Sequence, residues 1–526
     1  MEAHYPKYLL YCLLIAGSWL LSCVLHFQYF QSLSSSFTPP RRAALVVLPA
    51  ALDASFLPSP TVEADDKTVV PSSPSPSSPP PPPPPCEGRY VYMLNLPSRF
   101  DMLRDCVDGS PLFDDIWSWC AITVNAGLGP KISPAAGNGT AGIIPSTGCT
   151  DQYALEVMFH NWMRRYECLT DDPSTATAVY VPYYPALELH QHLCGYNTTA
   201  RDGPSEAFLR WLSSQPTWAA LGGRDHFMVA AKTTWMFRRD PGAGDDGCGN
   251  NFLGQPEVAN MSVLTYESNI WAPRDIAVPY PSYFHPSSSG EVSTWQSRAR
   301  AAHRPFLFAF AGARRLKGQL AIRDRVFDVC EASARCGMVD CSHGLEGSIT
   351  CRTAAKLVGL FTSARFCLQP RGDSFMRRSS IDSVMAGCIP VFFHRASTLE
   401  AQYRWHEPEE TTGGRRSNGD GDGRRRRYYV LLNSDDVLEG RVDIEEELSR
   451  YSDEEVAAMR EEVIRMIPRF MYRDPRVRFE GEKMRDAFDI TMDGMMDRMR
   501  RIKNGEDVAL KGEDDSDEAA MAANDS

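Results

Sequence analysis

Short apolar runs alternate along the chain with segments whose apolar residues fall three and four apart. The runs Arg89–Leu94, Ala178–Pro182, Val229–Ala231, Ser262–Thr265, Ile276–Val278, Pro305–Ala311, Phe366–Leu368, Ile389–Phe393 and Tyr429–Leu432 read as strands. Helical spacing predicts helices over 151–166 with Thr150 as cap, 205–212, 322–332, 353–363, 377–386, 453–467 with Ser452 as cap, and 486–502. In the last helix Phe488, Met492, Met495 and Met499 form an apolar stripe that belongs in a core. Alternation of this kind predicts an α/β fold with parallel sheets. The pattern forms two successive blocks joined near 285–305. That predicts two facing Rossmann-like domains rather than one oversized doubly wound sheet.

The ends depart from this pattern. Residues 8–30 are apolar and long enough for a bilayer, which takes about 20 residues, and no small-residue cleavage site follows. An uncleaved transmembrane anchor is expected, behind a short cytoplasmic tail at 1–7. Residues 31–85 are rich in Ser and Pro and end in a proline run, which reads as a disordered, stiff stem. Residues 407–427 interrupt the second block as a Gly- and Arg-rich disordered insertion, and 504–526 form an acidic disordered tail. The net charge of −12 argues against nucleic acid as a partner, and hydrophobic residues at 43% suffice for a full core. Cys12 and Cys23 lie in the anchor, leaving thirteen of the fifteen cysteines in the body. With the sequons at Asn138, Asn197 and Asn260, they argue for an oxidising lumen and N-glycosylation. Cys330, Cys336, Cys341 and Cys351 lack metal-knuckle spacing and read as disulfide candidates; an odd count leaves one thiol over.

The chemistry centres on Phe366–His394, a strand–turn–helix–strand unit. Such units bind ligands outside the carboxyl ends of their strands. Arg371, Gly372, Ser374, Arg377 and Arg378 crowd the first turn and the helix start, which suits a diphosphate. Arg314, Arg315 and Lys317 after the strand at 305–311 are a second candidate for binding phosphate, or else a solvated loop. Asp-x-Asp pairs occur at Asp420/Asp422 and Asp515/Asp517, both in low-complexity sequence and neither after a buried strand, so no metal site is expected.

The run PRGDSFMRRSSIDSVMAGCIPVFFH, with GGRDHF at 222–227 and VPYPSYFHP at 278–286, resembles the exostosin-type glycosyltransferases of family 47, and within them the plant xyloglucan galactosyltransferases. The resemblance spans roughly 86–500. It implies the GT-B fold: an acceptor domain at 86–295, a nucleotide-sugar domain at 296–480 and a closing helix at 481–503. It implies a Golgi type II membrane protein with a luminal catalytic part, and complexes with other Golgi transferases. The implied reaction is inverting, metal-independent transfer of galactose from a UDP-sugar to the xylosyl side chains of the polysaccharide xyloglucan. UDP-arabinose, UDP-xylose or a uronic acid donor, or a non-catalytic carbohydrate-binding scaffold, are the alternatives. Asp382 matches the carboxylate that holds the ribose in GT-B enzymes, or else pairs with Arg378 four residues before it. The base is expected in the first domain: His226, with Asp225 as its orienting partner or as the alternative base, and Glu267, His285 and Asp151 as rivals. Trp235, Trp271 and the aromatics Tyr280, Tyr283 and Phe284 beside His285 suit sugar stacking or a hinge.

Overall fold

A computed structural model describes residues 86–107, 119–132, 147–268, 275–314, 321–342, 344–408, 428–477 and 484–506. The expected anchor, the stem, most of the 407–427 insertion, most of the acidic tail, and Asn138, Trp271, Arg315, Lys317 and the two Asp-x-Asp pairs lie outside the described residues. No helix among the described residues is long and apolar enough to cross a membrane.

Eleven described strands build two wholly parallel sheets. The first contains β1 (Val91–Met93), β2 (Leu169–Thr170), β3 (Ala178–Tyr180), β4 (His226–Val229), β5 (Ser262–Thr265) and β6 (Asp275–Ala277), in the order β2-β1-β3-β4-β5-β6. The second contains β7 (Phe306–Gly312), β8 (Cys336–Asp340), β9 (Ala364–Gln369), β10 (Ile389–Phe392) and β11 (Val430–Leu431), in the order β11-β10-β9-β7-β8. Strands β3 to β6 and β10 are buried along their whole length, as parallel strands covered on both faces must be. In the second sheet β7 lies between β8 and β9, so the chain leaves on one side and returns on the other. The carboxyl ends of β7 and β9 therefore flank a topological switch point, where open α/β sheets bind ligands.

Eight described helices of eight residues or more cover the sheets: α1 (Leu155–Met163), α2 (Thr198–Ser213), α3 (Ser289–Ala301), α4 (Ala321–Ala332), α5 (Ala354–Thr362), α6 (Arg378–Met385), α7 (Asp453–Phe470) and α8 (Ala487–Lys503). Ser452 and Asp486 open α7 and α8 with capping boxes, each satisfying backbone donors at the helix start. Thr150 caps nothing: its hydroxyl donates to the Leu128 carbonyl, and α1 begins five residues later than Thr150. The stripe Phe488, Met492, Met495, Met499 is buried. It returns the chain to the first sheet, where Phe488 packs on Phe159 and Trp162, and Arg498 Nε donates to Ser262 Oγ.

Among the described residues six disulfides join 86–168, 106–120, 194–248, 330–336, 341–351 and 367–388. Cys149 keeps an exposed free thiol. The bond between Cys367 and Cys388 ties β9 to the start of β10, which fixes the frame of the basic turn.

Candidate active site

The residues that follow the carboxyl ends of the two sheets meet each other. From the first sheet, Glu267 follows β5, and Ser282 and Tyr283 follow β6. From the second, the Pro370–Arg377 turn follows β9 and leads into α6. Ser282 Oγ donates to Asp382 Oδ1 at 2.9 Å, Met376 N donates to Glu267 Oε2 at 3.5 Å, and the Arg378 guanidinium lies 3.9 Å above the Tyr283 ring. The Ser374 hydroxyl lies in hydrogen-bond reach of the Glu267 carboxylate and of the Met376 carbonyl.

Arg378 is the centre of this contact. Its Nη1 donates to the Thr150 carbonyl at 2.7 Å. Its Nε is 3.6 Å from Asp382 Oδ2, the pairing four residues along the helix that the sequence allowed. Nε and Nη2 are buried and donate to no described residue. A buried guanidinium with idle donors is costly unless an acceptor comes to it, and its planar fork suits phosphate oxygens. Arg377 sits at the switch point itself, donating to the carbonyls of Ala311, in β7, and Pro370. Arg371 lies over the Phe375 ring at 4.8 Å, and Phe375 packs against His394 at the end of β10. Asp382 is 4% exposed. Burial raises its pKa, against the opposing pull of Arg378 and of the Ser282 hydroxyl.

The first sheet contributes a mixed set. Glu156, Lys232 and Glu267 are buried behind the carboxyl ends. Burial pushes Glu156 up to about 8, although backbone N–H groups of Ala231, Ala186 and Leu187 donate to it. Burial lowers Lys232 to about 8, and its Nζ stands 3.8 Å from the centre of the Tyr153 ring. Glu267 is raised by burial while accepting from the Thr234 backbone and hydroxyl. Asp151 is different: its side chain is 23% exposed, Oδ1 accepts from Tyr153 N at 2.8 Å, and Oδ2 accepts no hydrogen bond among the described residues. The nearest cation to Oδ2 is Arg352 Nη1 at 3.8 Å.

The structure does not bring His226 and Asp225 here. His226 is the first residue of β4, so it stands at the amino end of the strand, opposite Lys232. It is fully buried; Nδ1 lies 2.9 Å from Asp225 Oδ1, Nε2 3.4 Å from Thr217 Oγ1, and Trp218 packs on it edge to face. Both ring nitrogens are engaged in a structural corner. His285 is engaged as well: Nδ1 donates to the Tyr472 carbonyl, Nε2 lies 2.7 Å from Thr150 Oγ1, and burial lowers its pKa to about 4. Arg314 makes no contact with these loops among the described residues: it pairs with Asp328 and Glu331 of α4 and lies over Phe327. Its guanidinium is thus already paired with two carboxylates. Tyr280 stacks on Tyr266 and Phe284 on Trp295, both buried, so these rings are packing rather than a sugar platform. Asn197 caps α2 through Oδ1, and Asn260 is exposed at the end of a short helix.

Sequence reasoning missed Lys232 and Arg323. Lys232 was findable, because the switch-point rule applies to the loop after every strand, β4 included. Arg323 was not: it reads as an ordinary position of α4, yet it is 7% exposed and reaches the Gly372 turn. Among the described residues, no group of three or more His, Cys, Asp or Glu is arranged to hold a metal ion.

Fold and site together define an α/β protein of two parallel sheets whose carboxyl-end loops meet around a cluster of arginines suited to an anionic ligand. The chain belongs to the exostosin GT47 family, whose domain matches residues 85–418. It is 40% identical to Xyloglucan galactosyltransferase MUR3 of Arabidopsis thaliana over 80% of this chain and 63% of that one. It is 38% identical to Probable xyloglucan galactosyltransferase GT15 over 80% and 84%, and 35% identical to Xyloglucan galactosyltransferase XLT2 over 79% and 76%, both of the same plant. The matched part thus spans less than two thirds of the MUR3 chain. The solved O-GlcNAc transferase GtfA of pneumococcus, with UDP and GlcNAc, covers 58% of this chain and 60% of its own at 9% identity and a TM-score of 0.26, too faint to bear an argument.

Proposed function

We propose that the protein is an inverting galactosyltransferase of GT-B type that moves galactose from UDP-galactose to xylosyl side chains of xyloglucan. Its identity to xyloglucan galactosyltransferases over most of the chain carries the reading. The site gives it a chemistry. Arg378, with idle buried donors, and Arg377 at the switch point take the diphosphate. Asp382 takes the ribose, held in place by Ser282.

The acceptor hydroxyl needs a base, and Asp151 supplies it. Of the acid–base candidates it alone joins partial exposure, next to the Thr150 carbonyl that Arg378 holds, to an oxygen free of hydrogen bonds among the described residues. Asp151 Oδ2 takes the hydroxyl proton while the acceptor oxygen attacks C1 of galactose. The C1–phosphate oxygen bond breaks on the opposite face, and UDP leaves toward the arginines. The guanidinium groups neutralise the leaving charge, so the step is proposed to need no metal. The protein is placed in the Golgi membrane by its anchor, with N-glycans at Asn138, Asn197 and Asn260 in the lumen.

The test is to incubate the protein with UDP-galactose and a galactose-free xyloglucan oligosaccharide. One added hexose, β-linked to a xylosyl residue and formed equally well in chelator, is expected. No transfer from UDP-galactose beside transfer from another UDP-sugar would move the reading to that donor. Polysaccharide binding without turnover of any donor would leave only a scaffold.

A further inference from the structure

The Gly372 turn has an unannounced neighbour. Arg323 projects from the first turn of α4, the helix that follows β7, and its side chain is buried at 7% exposure. Its Nη2 lies 2.9 Å from where a Cβ on Gly372 would stand. Gly372 is itself buried and its φ does not require glycine, so the absent side chain is explained by the guanidinium beside it. The turn is thus gripped from both sheets: Glu267 reaches Ser374 and Met376 from the first, and Arg323 reaches Gly372 from the second. The place is the switch point between β7 and β9, with Arg377 bridging both strand ends 3.6 Å from the same Cβ position.

Resting on the donor-site reading under the proposed function, we infer that Arg323 is a diphosphate-binding residue, and that Gly372 is glycine so that this guanidinium can stand against the turn. Four arginines, at 323, 371, 377 and 378, then surround one loop from two helices and the turn itself. A nucleoside diphosphate carries more negative charge than one guanidinium neutralises, and its oxygens can occupy several planar forks at once. The contact is to phosphate oxygens and not to the uridine.

The glycine provides a mild probe. The atom that a Cβ at 372 would strike is the far end of a flexible side chain, so Gly372→Ala displaces Arg323 at small cost to folding. The experiment measures UDP and uridine dissociation constants by calorimetry on the full chain, with melting temperatures alongside. It uses wild type, Arg323→Ala, Arg323→Lys, Gly372→Ala and the Arg323→Ala/Gly372→Ala pair. Arg323→Ala is expected to weaken UDP about 10- to 100-fold. Arg323→Lys recovers only part, because an ammonium lacks the fork. Gly372→Ala weakens UDP about fivefold in wild type and adds nothing once Arg323 is gone, since the two act as one unit. Uridine affinity stays put throughout. UDP affinity within about twofold of wild type in Arg323→Ala, or parallel losses for UDP and uridine, overturns the inference and leaves the donor reading standing. Should Arg323→Ala not fold, additive losses for Gly372→Ala in the Arg323→Lys background overturn it. Wild type that binds no UDP overturns both.

Discussion

Two loops of this protein look alike in sequence and differ in placement. Gly222–His226 and Gly372–Arg378 each place glycine beside Asp, Arg and a polar side chain next to a buried run. The first enters a strand: it precedes β4 and delivers His226 to the amino end of the sheet. The second leaves one: it follows β9 and delivers Arg377 and Arg378 to the carboxyl end. At amino ends the incoming loops close the sheet, and the His226–Asp225–Trp218 corner is buried and satisfied there. At carboxyl ends the outgoing loops part around the switch point, and Arg378 is left with donors unused. Strand direction, not residue type, separates a satisfied histidine at the amino end from an arginine with idle donors at the carboxyl end.

The sharpest way to break that contrast is Arg378→Ala. It removes the idle donors and strands Asp382 as an unpaired buried carboxylate. We expect kcat/KM for UDP-galactose to fall about 10²- to 10³-fold, on the order of 3–4 kcal/mol, measured by steady-state UDP release. Stability gives a second, pH-dependent readout. Burial already raises the folded pKa of Asp382 above its unfolded value. Its contribution is therefore full below the unfolded pKa and is lost as pH rises through the folded one. Removing Arg378 raises the folded pKa further, so the melting deficit of Arg378→Ala should widen from about pH 4 to pH 7. Adding Asp382→Asn should close that widening; a deficit constant in pH would show that the pair is not electrostatically linked.

Asp151→Asn comes next in size. Asparagine keeps Oδ1 as acceptor for the Tyr153 amide, so the local turn survives, but it takes no proton. A fall in kcat of about 10²-fold with unchanged UDP affinity is expected. The neighbouring Asp373→Asn, in the donor turn, is the control: if it alone abolishes turnover, the proton acceptor belongs to the second sheet. Glu267→Gln should act more weakly, through the position of the donor turn. We expect the KM for UDP-galactose to rise about tenfold with kcat nearly intact, because an amide cannot accept from all of Thr234, Ser374 and Met376. A kcat loss at constant KM would instead make Glu267 part of the chemistry.

The Phe366–His394 unit was legible because its signals are local. A buried run, a glycine turn, arginines and an amphipathic helix occupy consecutive residues, and β9, α6 and β10 fall where the pattern placed them. The start of β4 was not legible. Its four residues are buried on both faces, so no alternation marks the first of them, and a histidine there reads as loop. The glycine pair inside the preceding turn points the same misleading way. Gly223 has positive φ and sits against Trp218, whose ring a Cβ would strike, so it serves the corner. Glu267 on the donor turn, Thr150 under Arg378 and Arg323 at Gly372 are contacts made across long stretches of chain, and periodicity carries no record of them.

The smallest expected effect on catalysis is also the cleanest test of the contrast. His226→Ala removes a fully buried ring that fills the corner between Trp218, Thr217 and Asp225. It leaves a cavity and the Asp225 carboxylate, nearly buried, without its imidazole partner. A stability loss of about 2–3 kcal/mol is expected, read as a lower melting temperature and denaturant midpoint. Turnover per folded molecule should stay within about twofold of wild type, because the corner lies a strand's length from Arg378 and Asp151. His226→Gln, which retains bulk and polar atoms, should recover most of the stability and change turnover no further. Loss of turnover in a His226→Gln protein that melts like wild type would mean that the amino end of β4 takes part in the chemistry, and that strand direction is not the rule that sorts these two loops.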